Sequence, residues 1–232
     1  MKGKEDIRID DDGDKKVLKY NGITYSAASA SSIYTHLYWD YFIPLPLLFE
    51  KPKILLIGLG GGTIPYQLSK IYNDIDIEIA EINEKMVEIA KTFTGIDLSK
   101  FKIYIEDGAT VVKLKRNEYN IIILDAYIND RIPKQFLGEE FISDAYSALK
   151  KDGILAINYA RRLSLLLEYI TYKSRLRKFF NLYELKKGIN SKNSILIASK
   201  KLTSVEIFAI IKSKMSINDE NSFLLDAYFK IL

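Results

Sequence analysis

The chain contains no cysteine. Disulfides, thiolate metal sites and cysteine nucleophiles are therefore excluded. It has one histidine, His36, so a cluster of imidazole ligands cannot be assembled and a Ser-His-Asp triad is not expected. No metal is expected. No apolar run approaches the roughly 18 residues that a membrane span requires. Residues 1–14 are charged and lack the apolar core of a secretory leader. A cytoplasmic protein with no membrane partner is the expectation. A strong excess of one charge is missing too: 34 Lys and Arg stand against 30 Asp and Glu, for a formal net charge of +4. That is a mixed, mildly basic surface rather than a basic stripe, and nucleic acid is not an expected partner. What is present, 48% apolar and 28% charged residues in a chain of 232, suits one large globular domain or one domain with a small appendage.

The stretch Ile54-Leu55-Leu56-Ile57-Gly58-Leu59-Gly60-Gly61-Gly62-Thr63 organises the rest. Four apolar residues in an unbroken run read as a strand buried on both faces. The glycines let the chain bend sharply and bring backbone close to a ligand. A helical pattern over 64–71 follows. The spacing Gly58-x-Gly60-x-Gly62 is not the complete dinucleotide fingerprint, and a tight strand-to-helix turn with no ligand reads the same way.

Before this stretch, strand-like segments at 15–20 and 23–26 flank Asn21-Gly22. That dipeptide predicts a hairpin, because both turn residues must accept positive φ. A lone hairpin is marginal, so it should lean on the main domain or on a second subunit. Residues 29–42 read as a helix capped by Ser31 or Ser32, with Ile33, Leu37 and Tyr41 on one stripe and Pro44 and Pro46 beyond its end. Tyr34, His36, Tyr38 and Trp39 on or beside it either pack against the domain or form a lid over a pocket. The expected division is an N-terminal hairpin and helix over 1–46 and a nucleoside-binding catalytic domain over 47–232.

From Lys53 onward, strands alternate with helices. Further strands are expected at 75–81, 101–105, 119–124, 154–159, 181–185 and 194–199. Helices are expected after Asn83 and over 133–150, 163–177 and 205–215, with a turn at Lys151-Asp152-Gly153. The pattern is α/β: a mostly parallel seven-stranded sheet covered on both faces. Only 186–193 separates the last two strands, too short for a crossover helix, so that pair is antiparallel. Ligands in such sheets bind at the carboxyl ends of the strands. Glu81, Asp107 and Asp125 stand at three such ends. Glu81 follows Gly62 by 19 residues, the spacing at which a carboxylate accepts from ribose hydroxyls. Asp107 is placed to accept from the exocyclic amine of a base. Each acid alone reads equally as a solvated strand end or a helix cap.

Gly58-Leu59-Gly60-Gly61-Gly62-Thr63-Ile64-Pro65, Glu81-Ile82-Asn83, Asp107-Gly108-Ala109 and Asp125-Ala126-Tyr127 together resemble the spermidine synthase (polyamine aminopropyltransferase) family, in a divergent branch. That family shares the Rossmann-like fold of class I S-adenosylmethionine-dependent methyltransferases. The resemblance covers about 17–159. It implies a nucleoside site of Gly58, Gly60, Gly61, Gly62, Glu81, Asp107 and Gly108, with substrate-binding roles for Tyr25, Tyr34 and Tyr127. It also implies catalytic acids at Asp125 and Asp130, decarboxylated S-adenosylmethionine or S-adenosylmethionine as the bound nucleoside, a small-molecule amine as acceptor, and a homodimer. The sequence departs from the family at four points. Gly60 replaces an aspartate in the turn, and Pro65-Tyr66 replaces an Arg-Glu pair. Asn83 replaces an acid. Ile128 stands where a second aspartate is placed, with Asp130 the nearest carboxylate. The turn aspartate would repel a donor carboxylate, and without it methyl transfer becomes permissible. Aminopropyl transfer, methyl transfer to an unknown acceptor and non-catalytic nucleoside binding are the three readings.

Overall fold

The computed structural model describes residues 6–128, 130–186 and 193–232. Its strands are β1 (Ile7–Asp12), β2 (Lys15–Tyr20), β3 (Ile23–Ser29), β4 (Lys53–Ile57), β5 (Asp76–Ala80), β6 (Lys102–Tyr104), β7 (Tyr119–Leu124), β8 (Leu149–Ala160), β9 (Asn181–Lys186) and β10 (Asn193–Ser199). Its α-helices are α1 (Thr63–Ile71), α2 (Glu84–Thr94), α3 (Gly108–Lys113), α4 (Glu139–Ala148), α5 (Leu166–Arg177), α6 (Ser204–Lys214) and α7 (Ser222–Phe229). The main sheet has seven strands in the order β6-β5-β4-β7-β8-β10-β9. β4 pairs in parallel with both β5 and β7, whereas β10 runs antiparallel to β8 and to β9. The α/β architecture expected from the alternation is the one found. The connection at 187–192 lies outside the described residues.

Strand periodicity explains the core. Along β4, Ile54 and Leu56 point into one buried cluster with Ile79, Ile121, Ile123 and Leu68. Leu55 and Ile57 point into another with Ile122, Leu124, Phe141 and Ala145. Both faces are dry, which is why the run reads as continuously apolar rather than alternating. Ala27, Tyr34, Trp39 and Phe42 share the first cluster, so residues from before position 47 and residues of the main sheet enclose one core. Among the described residues, no helix is long and apolar enough to cross a membrane.

Three local expectations are corrected. First, the N-terminal unit is a three-stranded antiparallel sheet, β1-β2-β3, not a two-stranded hairpin. The Asn21-Gly22 turn forms with φ of 50° and 77°. The missed strand, β1, is an exposed edge with the sequence IRIDDD, and its acids and the Lys19–Asp10 ion pair at 2.7 Å suit an edge facing water. Second, 29–42 is not a helix. β3 runs to Ser29, and only a short 3-10 turn, Tyr38–Phe42, is helical. The Asp40 carboxylate accepts from the backbone N–H of Thr35 at 3.1 Å, from its hydroxyl at 2.8 Å and from the N–H of His36 at 2.6 Å. His36 is held at φ 54°, which a right-handed helix forbids. Third, Lys151-Asp152-Gly153 lies within β8 rather than in a turn. The helix expected over 133–150 is split into a 3-10 turn, Lys134–Leu137, and α4.

Candidate active site

A cleft of about 1440 Å³ opens at the carboxyl ends of β4, β5, β7 and β8, and the N-terminal sheet forms one side of it. Its floor is the turn after β4. Gly58 has φ 92°, and a Cβ there would lie 2.6 Å from the backbone oxygen of Asp125. The turn can therefore pass the end of β7 only because no side chain intervenes. Gly60 has φ 54°, and a Cβ there would stand 2.8 Å from the carbonyl oxygen of Tyr25 on β3. Gly58 and Gly60 line the cleft. Gly61 and Gly62 pack elsewhere: Gly61 donates its N–H to Ser26 Oγ at 2.6 Å, and Gly62 faces Ala90 and Thr94 of α2. These contacts clamp the N-terminal sheet and α2 onto the turn.

Glu81 follows β5 and is buried. Its Oε2 accepts from the N–H of Leu59 at 2.8 Å and its Oε1 from the N–H of Asn83 at 2.8 Å. Burial pushes this carboxyl up from its ordinary range, and the backbone donors pull against that shift. The backbone N–H groups of Ile82 and Gly60 also act on this carboxylate. Asp107, before α3, caps that helix by accepting from Ala109 N–H at 2.8 Å, and its other oxygen accepts from Gln135 Nε2 at 2.9 Å. Gly108 packs directly on the Ile57 side chain. Glu81, Asp107 and Gly108 all line the β5 and β6 side of the cleft.

The β7 and β8 side is different. Asp125 accepts from Trp39 Nε1 at 3.1 Å on Oδ2 and from Asn158 Nδ2 at 2.7 Å on Oδ1. Asn158 is oriented in turn by Asn193 Nδ2, which donates to its Oδ1 at 2.8 Å. Burial pushes the Asp125 carboxyl up to about 7, with the two neutral donors opposing the rise. Tyr38 stacks on Trp39 with ring centroids 4.2 Å apart, and burial raises its phenol well above the ordinary range. Tyr25 lines the cleft and donates its hydroxyl to the Tyr127 carbonyl at 3.1 Å. The Tyr127 hydroxyl donates to the Asn158 carbonyl at 2.7 Å and accepts from Ala160 N–H at 2.9 Å, so it braces the strand ends. Asp130 reaches the rim and pairs with Arg162.

Tyr34, like Gly61 and Gly62, is an expected site residue that the fold keeps out of the cleft. It is buried in the core, and its hydroxyl accepts from Asn221 Nδ2 at 3.2 Å. Trp39, Gln135 and Asn158 were not selected as site residues. Asn158 carried a signal, a polar residue at the end of an otherwise apolar strand. Gln135 carried none, since it meets Asp107 from 28 positions away. Among the described residues no group of three or more His, Cys, Asp or Glu is placed to hold a metal ion.

A seven-stranded sheet with a reversed strand at its far side, a glycine turn after the central strand and an acid after the next defines the class I methyltransferase fold. Residues 35–185 match the Spermine/spermidine synthase domain, and the chain belongs to that family. It is 32% identical over 142 residues to a polyamine aminopropyltransferase of Vibrio vulnificus (strain CMCP6), covering 58% of this chain and 48% of that one. The chain spans about half the length of the curated relatives it matches. Solved structures agree on the fold. A probable spermidine synthase from Corynebacterium glutamicum superposes with a TM-score of 0.76 at 16% identity, over 90% of this chain and 84% of that chain. Human methyltransferase-like protein 13 in complex with SAH gives 0.61 at 23% identity, over 81% and 95%.

Proposed function

We propose that this protein transfers an aminopropyl group from decarboxylated S-adenosylmethionine to a small-molecule amine. The observation that carries this reading is Asp125: a half-buried acid near neutrality on the cleft wall, held by two neutral N–H donors, across the glycine turn from the acids that suit a nucleoside.

The residues present fit the nucleoside. Glu81 faces the cleft as the acceptor for ribose hydroxyls, Asp107 and Gly108 border the place of the base, and Gly58 and Gly60 offer bare backbone. The chemistry available with the donor bound is an in-line displacement at the carbon beside its sulfonium, with a C–N bond forming as the C–S bond breaks. An aliphatic amine is protonated at neutral pH, with a pKa of about 10.4. Asp125 attracts the ammonium and accepts its proton, and the desolvating rings of Tyr38 and Trp39 lower the amine's pKa toward that of its acceptor. Asn158 and Trp39 fix the carboxylate so that the amine is held in line.

Methyl transfer from S-adenosylmethionine is the second reading. Its support is Gly60: the Tyr25 carbonyl occupies the space a side chain would need, so no acid stands in the turn to repel a donor carboxylate. Calorimetry with the two donors separates these readings, because tighter binding of the carboxylated form favours methyl transfer. A nucleoside-binding homologue without turnover is the third. We further propose a homodimer, supported by the exposed edge strand β1 with Ile7 and Ile9, which sedimentation can test.

The direct test incubates the protein with decarboxylated S-adenosylmethionine and a panel of amines and assays methylthioadenosine. No product with any amine sinks the first reading. Asp125→Asn should abolish turnover and leave nucleoside affinity within about twofold, since Asp125 acts on the amine side.

A further inference from the structure

The final strand in the chain brings a second amide toward Asp125. β10 runs antiparallel to β8, with Asn193 opposite Ala160. Asn193 is therefore the diagonal neighbour of Asn158 on one face of the strand pair. Its Nδ2 donates to Asn158 Oδ1 at 2.8 Å, and Asn158 Nδ2 donates to Asp125 Oδ1 at 2.7 Å. Asn158 is buried and Asn193 half-buried.

The direction of this chain of donors follows from its end. An ionised carboxylate only accepts, so Asn158 must offer it the nitrogen and turn its oxygen toward Asn193. That oxygen also only accepts, so Asn193 must offer its own nitrogen. A protonated carboxyl can donate, and it would favour Asn158 turned over with its oxygen facing the acid. Asn158 cannot turn alone without cost. Its nitrogen would then face the nitrogen of Asn193, donor against donor, where an unmade hydrogen bond is expensive. The arrangement thus suits one protonation state of Asp125 and opposes the other. The two groups acting on its carboxyl, Asn158 and Trp39, are neutral. Tyr38 faces Asp125 from the 3-10 turn and Tyr127 from its own strand end. Burial holds both phenols well above their ordinary range, so they too are uncharged at neutral pH. Tyr25, which faces Tyr38 from β3, is pushed up to about 12.

We propose that Asn193 is a positioning residue: acting through Asn158, it holds Asp125 in the ionised form that attracts an ammonium and receives its proton. That Asp125 meets an amine is taken from the transferase reading. Control of its protonation by Asn193 is measured without turnover.

The test is the titration midpoint of Asp125, read by carboxyl-carbon NMR of labelled aspartate, with Asp125→Asn identifying the resonance. Asn193→Leu keeps the bulk of the side chain and removes the donor. The midpoint should rise by about half a pH unit, because Asn158 can then turn. Asn193→Asp only accepts, draws the nitrogen of Asn158, and should raise the midpoint by more than about one unit. Part of that rise is direct repulsion between carboxylates. An Asn158→Ala background separates the two parts, since no amide remains to turn. There Asn193→Leu should leave the midpoint unchanged, and Asn193→Asp should keep only the direct part. Asn193→Ser restores a donor and should return the midpoint toward the parent value. Circular dichroism verifies that each variant folds. An unchanged or lowered midpoint in both Asn193→Leu and Asn193→Asp overturns the proposal. Shifts of the same size with and without Asn158 overturn it as well, because they bypass the amide. If the midpoints move as expected but no methylthioadenosine is ever produced from the decarboxylated donor, the aminopropyl reading fails while the control of Asp125 by Asn193 stands.

Discussion

The indole N–H of Trp39 donates to Oδ2 of Asp125 across 3.1 Å, between residues 86 positions apart in the chain. The contact joins the 3-10 turn of the N-terminal segment to the end of β7 and makes the N-terminal segment part of the site. Burial opposes ionisation of Asp125, and each donor to the carboxylate supports it. The balance leaves the group at about 7, where an acid exchanges protons most readily at neutral pH.

Trp39→Phe keeps most of the ring and removes the donor. A hydrogen bond to a charged group contributes on the order of 1.5–3 kcal/mol. The Asp125 carboxyl should therefore titrate at least about one pH unit higher. The sign follows from the lost stabilisation of the charged form. Carboxyl-carbon NMR of labelled aspartate measures it directly, and an unchanged or lower midpoint means that Trp39 only packs.

Gly60→Asp should not restore the family's turn acid. The position has φ 54°, and the new Cβ would stand 2.8 Å from the Tyr25 carbonyl. Strain and displacement of β3 should cost about 2 kcal/mol. For a chain of this size, that lowers the melting temperature by about 4–8 °C. A scanning calorimeter reads this, and a variant as stable as the parent shows that β3 yields easily.

Tyr34→Phe should leave nucleoside and amine affinity within about twofold and cost no more than about 1 kcal/mol of stability. Asn221 Nδ2 still donates to the Ser216 carbonyl at 2.9 Å, so little is left unsatisfied. A large loss of affinity with unchanged stability would instead return Tyr34 to the substrate site.

Glu78→Gln probes the opposite end of the sheet. The Glu78 carboxylate meets Lys53 at 2.9 Å and the hydroxyls of Tyr119 and Tyr104 at 2.6 and 2.8 Å. These partners overcome burial and hold it at about 2, below an ordinary 4.5. The folded pKa is depressed, so the stabilisation is fully present above about 4.5 and is lost as pH falls toward 2. The variant should lose about 2–3 kcal/mol at neutral pH, with a difference that shrinks below pH 4.5. Urea unfolding at pH 7 and pH 3 measures both.

Much of the architecture was legible in the residues themselves. Unbroken apolar runs at Ile54, Ile121 and Ile154 announced strands buried on both faces, and the Asn21-Gly22 turn announced its hairpin. The short final connection required an antiparallel pair. Glu81, Asp107 and Asp125 could be placed at strand ends because strand ends are where such runs stop. Each of these readings depends on backbone geometry and burial within a few residues, and local composition reports both.

Tertiary structure decided the rest. Nothing near Trp39 says that its indole meets Asp125, nothing near Gln135 that its amide meets Asp107, and nothing near Asp130 that Arg162 neutralises it. Tyr34 and Tyr38 lie on one short segment, yet one points into the core and the other into the cleft, because Asp40 folds 35–40 back on itself instead of letting it coil as a helix. Side-chain pairing across dozens of residues is set by how sheets and loops close in space. The sequence thus determined which strand ends carry Glu81, Asp107 and Asp125, and only the closed fold determined which side chains surround each of them.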